Sequence, residues 1–337
     1  MSTVIEGAVA VEIAKKKCLE LLIKLDEICS KNDIRYWIDG GTLLGAIRHQ
    51  GFIPWDDDID ICIPAPDYYK LIDVLSQFCK EDNSYILFHG DSNFHFCFDF
   101  FGDITYLIDG VYPVRIDLFP VKMIENRAEA IRIDKSWTNI AAIYFRGYAK
   151  SKADIIPEHA HLMPKGKNLI QEKETFFAQY KDYLLSNYSD ENSSDKLLNY
   201  SLNDMLVAKD RGYYEYDTIF PLKRIDFEGH PLSCPNQTDK YLSSLYTNYM
   251  ELPPLESRIS HLNILHENEL TKKQIKTFLN AFYIMGFKNF AIGKRDQKVY
   301  RMWLKASSFM ILFAKFTLQF QFKLTRNLIR YAKTKVN

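Results

Sequence analysis

Apolar residues recur at helical spacing from residue 9 to 30. Ile13, Ala14, Cys18, Leu21, Leu22, Leu25, Ile28 and Cys29 share one face, and Lys15, Lys16, Lys17, Glu20, Lys24 and Asp26 lie on the other. That spacing predicts an amphipathic helix. Asn32-Asp33 closes it, and residues 34–38 read as a short strand. Gly40-Gly41 then makes a turn, with Thr42 placed to cap a short helix over 43–48. Gly51 and Pro54 keep residues 49–55 out of helix and lead into Asp58-Ile59-Asp60-Ile61, where acidic and apolar residues alternate as in a strand. Beyond Pro64 and Pro66 a helix runs to about Cys79, with Tyr68, Leu71, Ile72, Val74, Leu75 and Phe78 for its inner face. Strand patterns follow at 85–89, 94–100, 104–108 and 114–119.

The pattern changes after residue 124. Up to 207 it is mostly helical and rich in Lys, Asn and Tyr, with a weakly patterned stretch over 148–167, and it reads as an insertion or cap. Extended character returns at 214–221, strand and turn at 224–230, a helix at 238–249 ahead of Pro253-Pro254, and another helix at 271–285. The chain thus divides into a core over 1–123, a helical insertion over 124–217, a return to the core over 218–296 and a helical C-terminal region over 297–337. The class is α/β (α+β) with a mixed sheet. In the tail, Trp303, Leu304, Phe313, Phe316, Phe320 and Phe322 run among Arg301, Lys305, Lys315, Lys323, Arg326 and Arg330. Lys315, Gln319 and Gln321 interrupt it too often for a membrane span. Two readings stay open: a basic, aromatic helix lying in a membrane interface, or a helix docked on protein.

Composition narrows the classes. An apolar content of 47% with 26% charged residues is that of a folded chain. Forty-three basic and 43 acidic residues cancel, so nothing in the bulk charge points to nucleic acid. The six cysteines form no CxxC pair and no metal-like spacing with histidine, which suits buried thiols in a reducing compartment. The first eleven residues carry Glu6 and no basic region before an apolar run, so no signal peptide is expected and a cytoplasmic location is. An aromatic content of 14% suits a glycan-handling or membrane-adjacent surface and equally a Phe- and Tyr-rich core.

Candidate chemistry concentrates between Trp37 and Ile61, where four glycines and five aspartates fall within twenty-five residues. Strand residues at i and i+2 share a face, so Asp58 and Asp60 would repel each other unless something positive sits between them. Hard oxygen ligands suit Mg²⁺ or Mn²⁺ better than zinc. Asp117 lies in the otherwise apolar Val114-Arg115-Ile116-Asp117-Leu118-Phe119, alternating with Arg115, and needs a partner or a cation. Gly40-Gly41 ahead of a helix allows close approach of a phosphate to free backbone N–H groups, although a Gly-Gly pair is more often only a turn.

A Gly-Gly turn, then Asp-x-Asp, then a distant third Asp resembles the nucleotidyltransferase fold. The longer run Asp39-Gly-Gly-Thr-Leu-Leu-Gly-Ala-Ile-Arg-His-x-Gly-Phe-Ile-Pro-Trp-Asp-Asp-Asp-Ile-Asp60 resembles the LicD family, which includes the fukutin-type transferases. Asp117-Leu-Phe-Pro, Phe220-Pro-Leu-Lys-Arg, Phe227-x-Gly229, Pro235, Tyr241-Leu, Tyr246, Tyr249-Met and Pro253-Pro254 extend the resemblance over residues 22–261, most weakly in 124–217. The resemblance implies a nucleotidyltransferase-like core. It also implies transfer of a phospho-alcohol, phosphocholine or a polyol phosphate, from a CDP-activated donor to a sugar hydroxyl. CMP would be released, during assembly of surface polysaccharide, lipopolysaccharide or teichoic acid. Peripheral contact at the inner face of the membrane is expected instead from the basic, aromatic tail. Asp58, Asp60 and Asp117 would hold the metal, and Asp117 is the candidate proton acceptor. Gly40, Gly41 and Thr42 would cradle the donor diphosphate, with Arg48 and Lys223 as further candidates for diphosphate or CMP.

Plainer roles compete. Asp56 and Asp57 shape the turn, Arg48 pairs with one of them, and His49, after a helix end, packs. His159 and His161 lie on the surface. Trp55 either stacks on a base or a choline-like cation or anchors the turn. Asp39 is unassigned, and Arg258 and His261 have no place that sequence can give. At the level of activity, nucleotidyl transfer, an Asp-x-Asp glycosyltransferase and a glycan- or nucleotide-binding module are the alternatives.

Overall fold

The computed structural model describes residues 2–258 apart from 83, 90–96, 103–113, 147–148, 150, 167, 189–195, 201–211 and 247. The expected strand at 104–108, the helix at 271–285, His261 and the whole C-terminal tail lie outside these residues.

Helix α1 (Ser2–Lys31) starts earlier than its apolar periodicity predicts and buries the expected stripe from Ala14 and Cys18 to Ile28 and Cys29, whereas Ile13 is exposed. Lys15 departs from the pattern. It is buried, and its ammonium donates to the carbonyls of Ile53 (3.3 Å) and Pro54 (2.8 Å), which ties α1 to the loop ahead of the acidic residues.

The centre is a seven-stranded mixed sheet. Its strands are β1 (Trp37–Ile38), β2 (Asp60–Pro64), β3 (Ile86–His89), β4 (Phe98–Phe101), β5 (Arg115–Ile124), β6 (Leu197–Tyr200) and β7 (Tyr213–Glu215). The order runs β1-β2-β5-β4-β3, with β6 on β5 and β7 on β6. Only β2 and β5 pair in parallel among the described strands. A parallel pair needs a long crossover, and the chain makes it through α3 (Ala65–Glu81) and the hairpin β3-β4. Ten-residue β5 is central: its first half lies against β2 and β4 and its second half against β6.

Residues 124–217 contain the expected helices, α4 (Arg127–Arg146) and α5 (Leu169–Ser186), but not as a separate layer of helix. The segment returns β6 and β7 to the main sheet, where Val121 pairs with Tyr200. Leu197-Leu198-Asn199-Tyr200 is too short for its periodicity to distinguish a strand from the turns of a helix. Its strand character comes from the free edge of β5. Lys122 on β5, Asp134 on α4 and Asn199 on β6 are all buried and join these pieces: the Lys122 ammonium lies 2.6 Å from Asp134 Oδ1, and Asn199 donates to Oδ2 at 3.3 Å. A separate hairpin, β8 (Lys223–Phe227) with β9 (His230–Cys234), leads to α7 (Thr238–Leu245) after the single turn α6 (Tyr216–Ile219). All six cysteines are buried thiols, as their spacing predicts.

Removing one partner of a buried ion pair strands the other charge. Lys122→Ala should therefore lower unfolding free energy by about 3–5 kcal/mol, whereas Lys122→Met with Asp134→Leu should cost far less. Urea unfolding monitored by circular dichroism separates the two outcomes.

Candidate active site

Asp60 opens β2 and stands directly opposite Asp117 of β5, whose backbone N–H donates to Ile59 O at 2.9 Å. Across β5, Asp117 stands opposite Asp99 of β4. Cross-strand partners point to the same face, so three adjacent strands carry a row of aspartates. The row was only partly legible. Asp99 is flanked by Phe98, Phe100 and Phe101, and a lone acid in an apolar strand is the same signal that singles out Asp117. Asp58 precedes the strand instead of belonging to it. Asp57, expected to shape the turn, is buried.

Crowding of like charge has the expected consequence. Burial first, then repulsion from Asp58, Asp117, Asp39 and Asp56, pushes the Asp60 carboxyl well above the usual range. The positive charge these acids call for is present as a side chain. Arg115, two residues before Asp117 on the same strand face, brings Nε to 3.1 Å from Asp117 Oδ1. Asp117 foremost, and Asp99, Asp58 and Asp60 with it, hold the guanidinium protonated.

Helix α2 (Gly40–His49) begins three residues before the point that a Thr42 cap predicts, because Asp39 takes the N-cap position and its carbonyl accepts the first helical bond from Leu43. Gly40, at φ +50°, and Gly41 form the first turn. A Cβ on Gly40 would lie 3.0 Å from Asp60 Oδ2, and one on Gly41 would collide with the Asp56 carboxylate. The glycines thus let two acids approach the positive end of a helix. Thr42 is buried, and its hydroxyl accepts from the Asp60 amide at 3.0 Å, fixing the start of β2.

Asp39, unassigned by sequence, is a buried node. Its carboxyl oxygens lie 2.5 Å from both Tyr200 Oη of β6 and Tyr241 Oη of α7, the two hydroxyls lie 2.7 Å apart, and Trp37 Nε1 donates to Tyr241 at 3.2 Å. Burial pushes the Asp39 carboxyl up, against the opposing pull of the two hydroxyls that donate to it.

Arg48 donates to the carbonyls of Tyr249 (2.8 Å) and Glu251 (3.2 Å) instead of pairing with an aspartate. Arg48 and Arg258 both stand on the Trp55 ring, so that ring is covered by two cations. His49 packs edge-on to the same ring, and burial lowers its pKa. Lys223 is exposed on β8, and its ammonium donates to Asn236 O at 2.7 Å; no described contact brings it to the carboxylates. His161 is on the surface, but His159 is half-buried, with its ring 4.5 Å from Trp137 and Nδ1 2.9 Å from Ser136 Oγ.

The residues fit a hard divalent cation by chemistry, since Asp58, Asp60 and Asp117 offer oxygen donors whose mutual repulsion a cation would relieve. They do not form a closed cage: among the described residues no three His, Cys, Asp or Glu are gathered as a ready-made metal site.

A mixed sheet with acids on neighbouring strands beside a glycine-started helix is the frame of a nucleotidyltransferase-domain enzyme. Residues 33–142 match the family model described as LicD/FKTN/FKRP, nucleotidyltransferase domain. The lipopolysaccharide cholinephosphotransferase LicD of Haemophilus influenzae is 27% identical over 263 residues, 72% of this chain and 92% of that protein. Two similarities are local. An uncharacterised protein of Rickettsia prowazekii is 51% identical over 69 residues, 20% of this chain and 26% of that one. The ribitol 5-phosphate transferase FKRP of Homo sapiens is 56% identical over 34 residues, 10% of this chain and 7% of that one. Residues 33–142 thus form a LicD-type nucleotidyltransferase domain, and the comparisons support a LicD-type phosphotransferase.

Arg115→Met removes the cation from among the acids and should cost about 3 kcal/mol at neutral pH. A carboxyl raised in the folded state stabilises below its unfolded pKa and loses that contribution as pH rises. The variant should therefore regain thermal stability as pH falls from about 7 toward 5, where raised carboxyls take up protons. Calorimetry across that range reads it; a pH-independent deficit would show that Arg115 does not balance the carboxylates.

Proposed function

We propose that this enzyme moves a phospho-alcohol from a CDP-activated donor to a sugar hydroxyl of a cell-surface glycan, releasing CMP. The observation that carries the reading is Asp60 in register with Asp117 beside the N-terminus of α2. The names of the relatives support phospho-alcohol transfer in general: one is a cholinephosphotransferase and another a ribitol 5-phosphate transferase.

In this reading Asp58, Asp60 and Asp117 hold Mg²⁺ or Mn²⁺, which would neutralise charge on the transferring phosphoryl group and align the two oxygens that exchange. The remaining work falls to the chain. Backbone N–H groups at Gly40 and Gly41 face donor phosphate, aided by the helix dipole. Arg48 adds positive charge for the diphosphate. Thr42 keeps Asp60 in place through its amide. Asp117 takes the proton of the attacking hydroxyl. Among the described residues, which do not include the tail, no helix is long and apolar enough to cross a membrane. We assign residues 297–337 to the membrane interface on their basic and aromatic composition.

Incubation with a panel of CDP-alcohols and Mg²⁺ or Mn²⁺ should release CMP; release of inorganic diphosphate would instead mean nucleotidyl transfer. Asp58→Asn, Asp60→Asn and Asp117→Asn should each lower turnover by about 100-fold or more with the fold retained. Wild-type turnover in any of them removes that residue from the metal set. Deletion from Ser307 onward should release the protein from sedimented membranes, and unchanged fractionation would favour a helix docked on protein.

A further inference from the structure

Arg258 lies 5.1 Å and Arg48 6.0 Å from the centroid of Trp55. Each is anchored without a counter-charge. Arg48 spends Nη1 on the carbonyls of Tyr249 and Glu251 and turns Nε toward His49 Nδ1 at 3.5 Å. Arg258 spends Nε on Pro253 O at 2.8 Å. Among the described residues neither guanidinium is within ion-pair distance of a carboxylate, and Nη2 of Arg48 and both terminal nitrogens of Arg258 make no hydrogen bond. One cation would suffice to brace a tryptophan. Two on one ring repel each other, and an anion between them converts that cost into charge-assisted bonds.

The pair is close to the acids. Arg48 interacts electrostatically with Tyr246 and Asp56, besides Arg258. Asp56 covers Gly41, and Tyr246 Oη would lie 3.8 Å from a Cβ on Gly40, where Asp60 also approaches. Arg48 is thus one side chain removed from the helix start on which donor phosphate is placed.

We propose that Arg48 and Arg258, seated on Trp55, form a two-arginine clamp for the diphosphate of the donor, with Arg258 as a binding residue that bridges phosphate oxygens. The identity of the donor rests on the function proposed above; the clamp itself requires only a diphosphate. It gives Trp55 a task, to hold both guanidinium planes, in place of stacking on a base. Arg258 takes the part for which Lys223, held on its own hairpin, had been a candidate.

The test is isothermal titration of the full-length protein with inorganic pyrophosphate in Mg²⁺ buffer, which needs no turnover and no alcohol. Wild type should bind. Arg258→Gln and Arg48→Gln should each weaken binding about tenfold to a hundredfold. Arg258→Lys, which keeps the charge and loses the fork, should weaken it less, about threefold to tenfold. Melting curves check that each variant folds, and Arg258→Lys carries the test if Arg258→Gln does not. Failure of wild type to bind, or wild-type affinity in the folded Arg258 variants, overturns the clamp. Weakened binding in the variants, with no CMP released from any CDP-alcohol by wild type, upholds the clamp and overturns the CDP reading alone.

Discussion

Carboxylates on adjacent strands repel one another, and the structure around Asp60 is organised to hold them together. The parallel register of β2 on β5 sets Asp60 against Asp117, and β4 adds Asp99 on the far side. Three devices offset the repulsion. Arg115 supplies a full positive charge from the same strand as Asp117. The N-terminus of α2 supplies a partial one, made reachable by Gly40 and Gly41. Burial and the neighbouring acids push the Asp60 carboxyl up, which favours its protonation. A divalent cation would join a site that already balances its charge in part.

The same constraint explains the reach of the supporting structure. Asp39 holds the turn between β1 and α2, and its carboxyl is closed off by Tyr200 from the far end of the 124–217 segment and by Tyr241 from α7. Elements distant in sequence therefore meet on one buried acid next to the site. Lys122, Asp134 and Asn199 bind that segment to the sheet on the same strand, β5. Segment 124–217 is in this sense part of the site's foundation, although it supplies none of the acids.

Legibility followed the range of each interaction. Helix α1, α3 and the acidic strand were readable because local periodicity is imposed residue by residue, and the buried faces match it. Asp60 and Asp117 were readable because an acid in an apolar strand is conspicuous, and the family resemblance tied them together. Strand β6 was not, since four residues hold too little pattern and the edge of β5 decides their conformation. Lys15 and His159 were misplaced for a related reason: polar type predicts exposure only on average, and here backbone carbonyls and an indole receive them.

The sequence alone determined the α/β class, the LicD resemblance and the candidacy of Asp60 and Asp117, since these depend on local pattern and on residue types in a recognisable order. Only the tertiary structure decided which further charges act on them. Arg115 and Arg258 look ordinary in the chain, Asp99 carries the same signal as Asp117 but no family motif, and Asp39 had no role. Electrostatic interaction depends on separation in space and on burial, and pairing of β2 with β5, fifty-seven residues apart from Asp60 to Asp117, is what creates both.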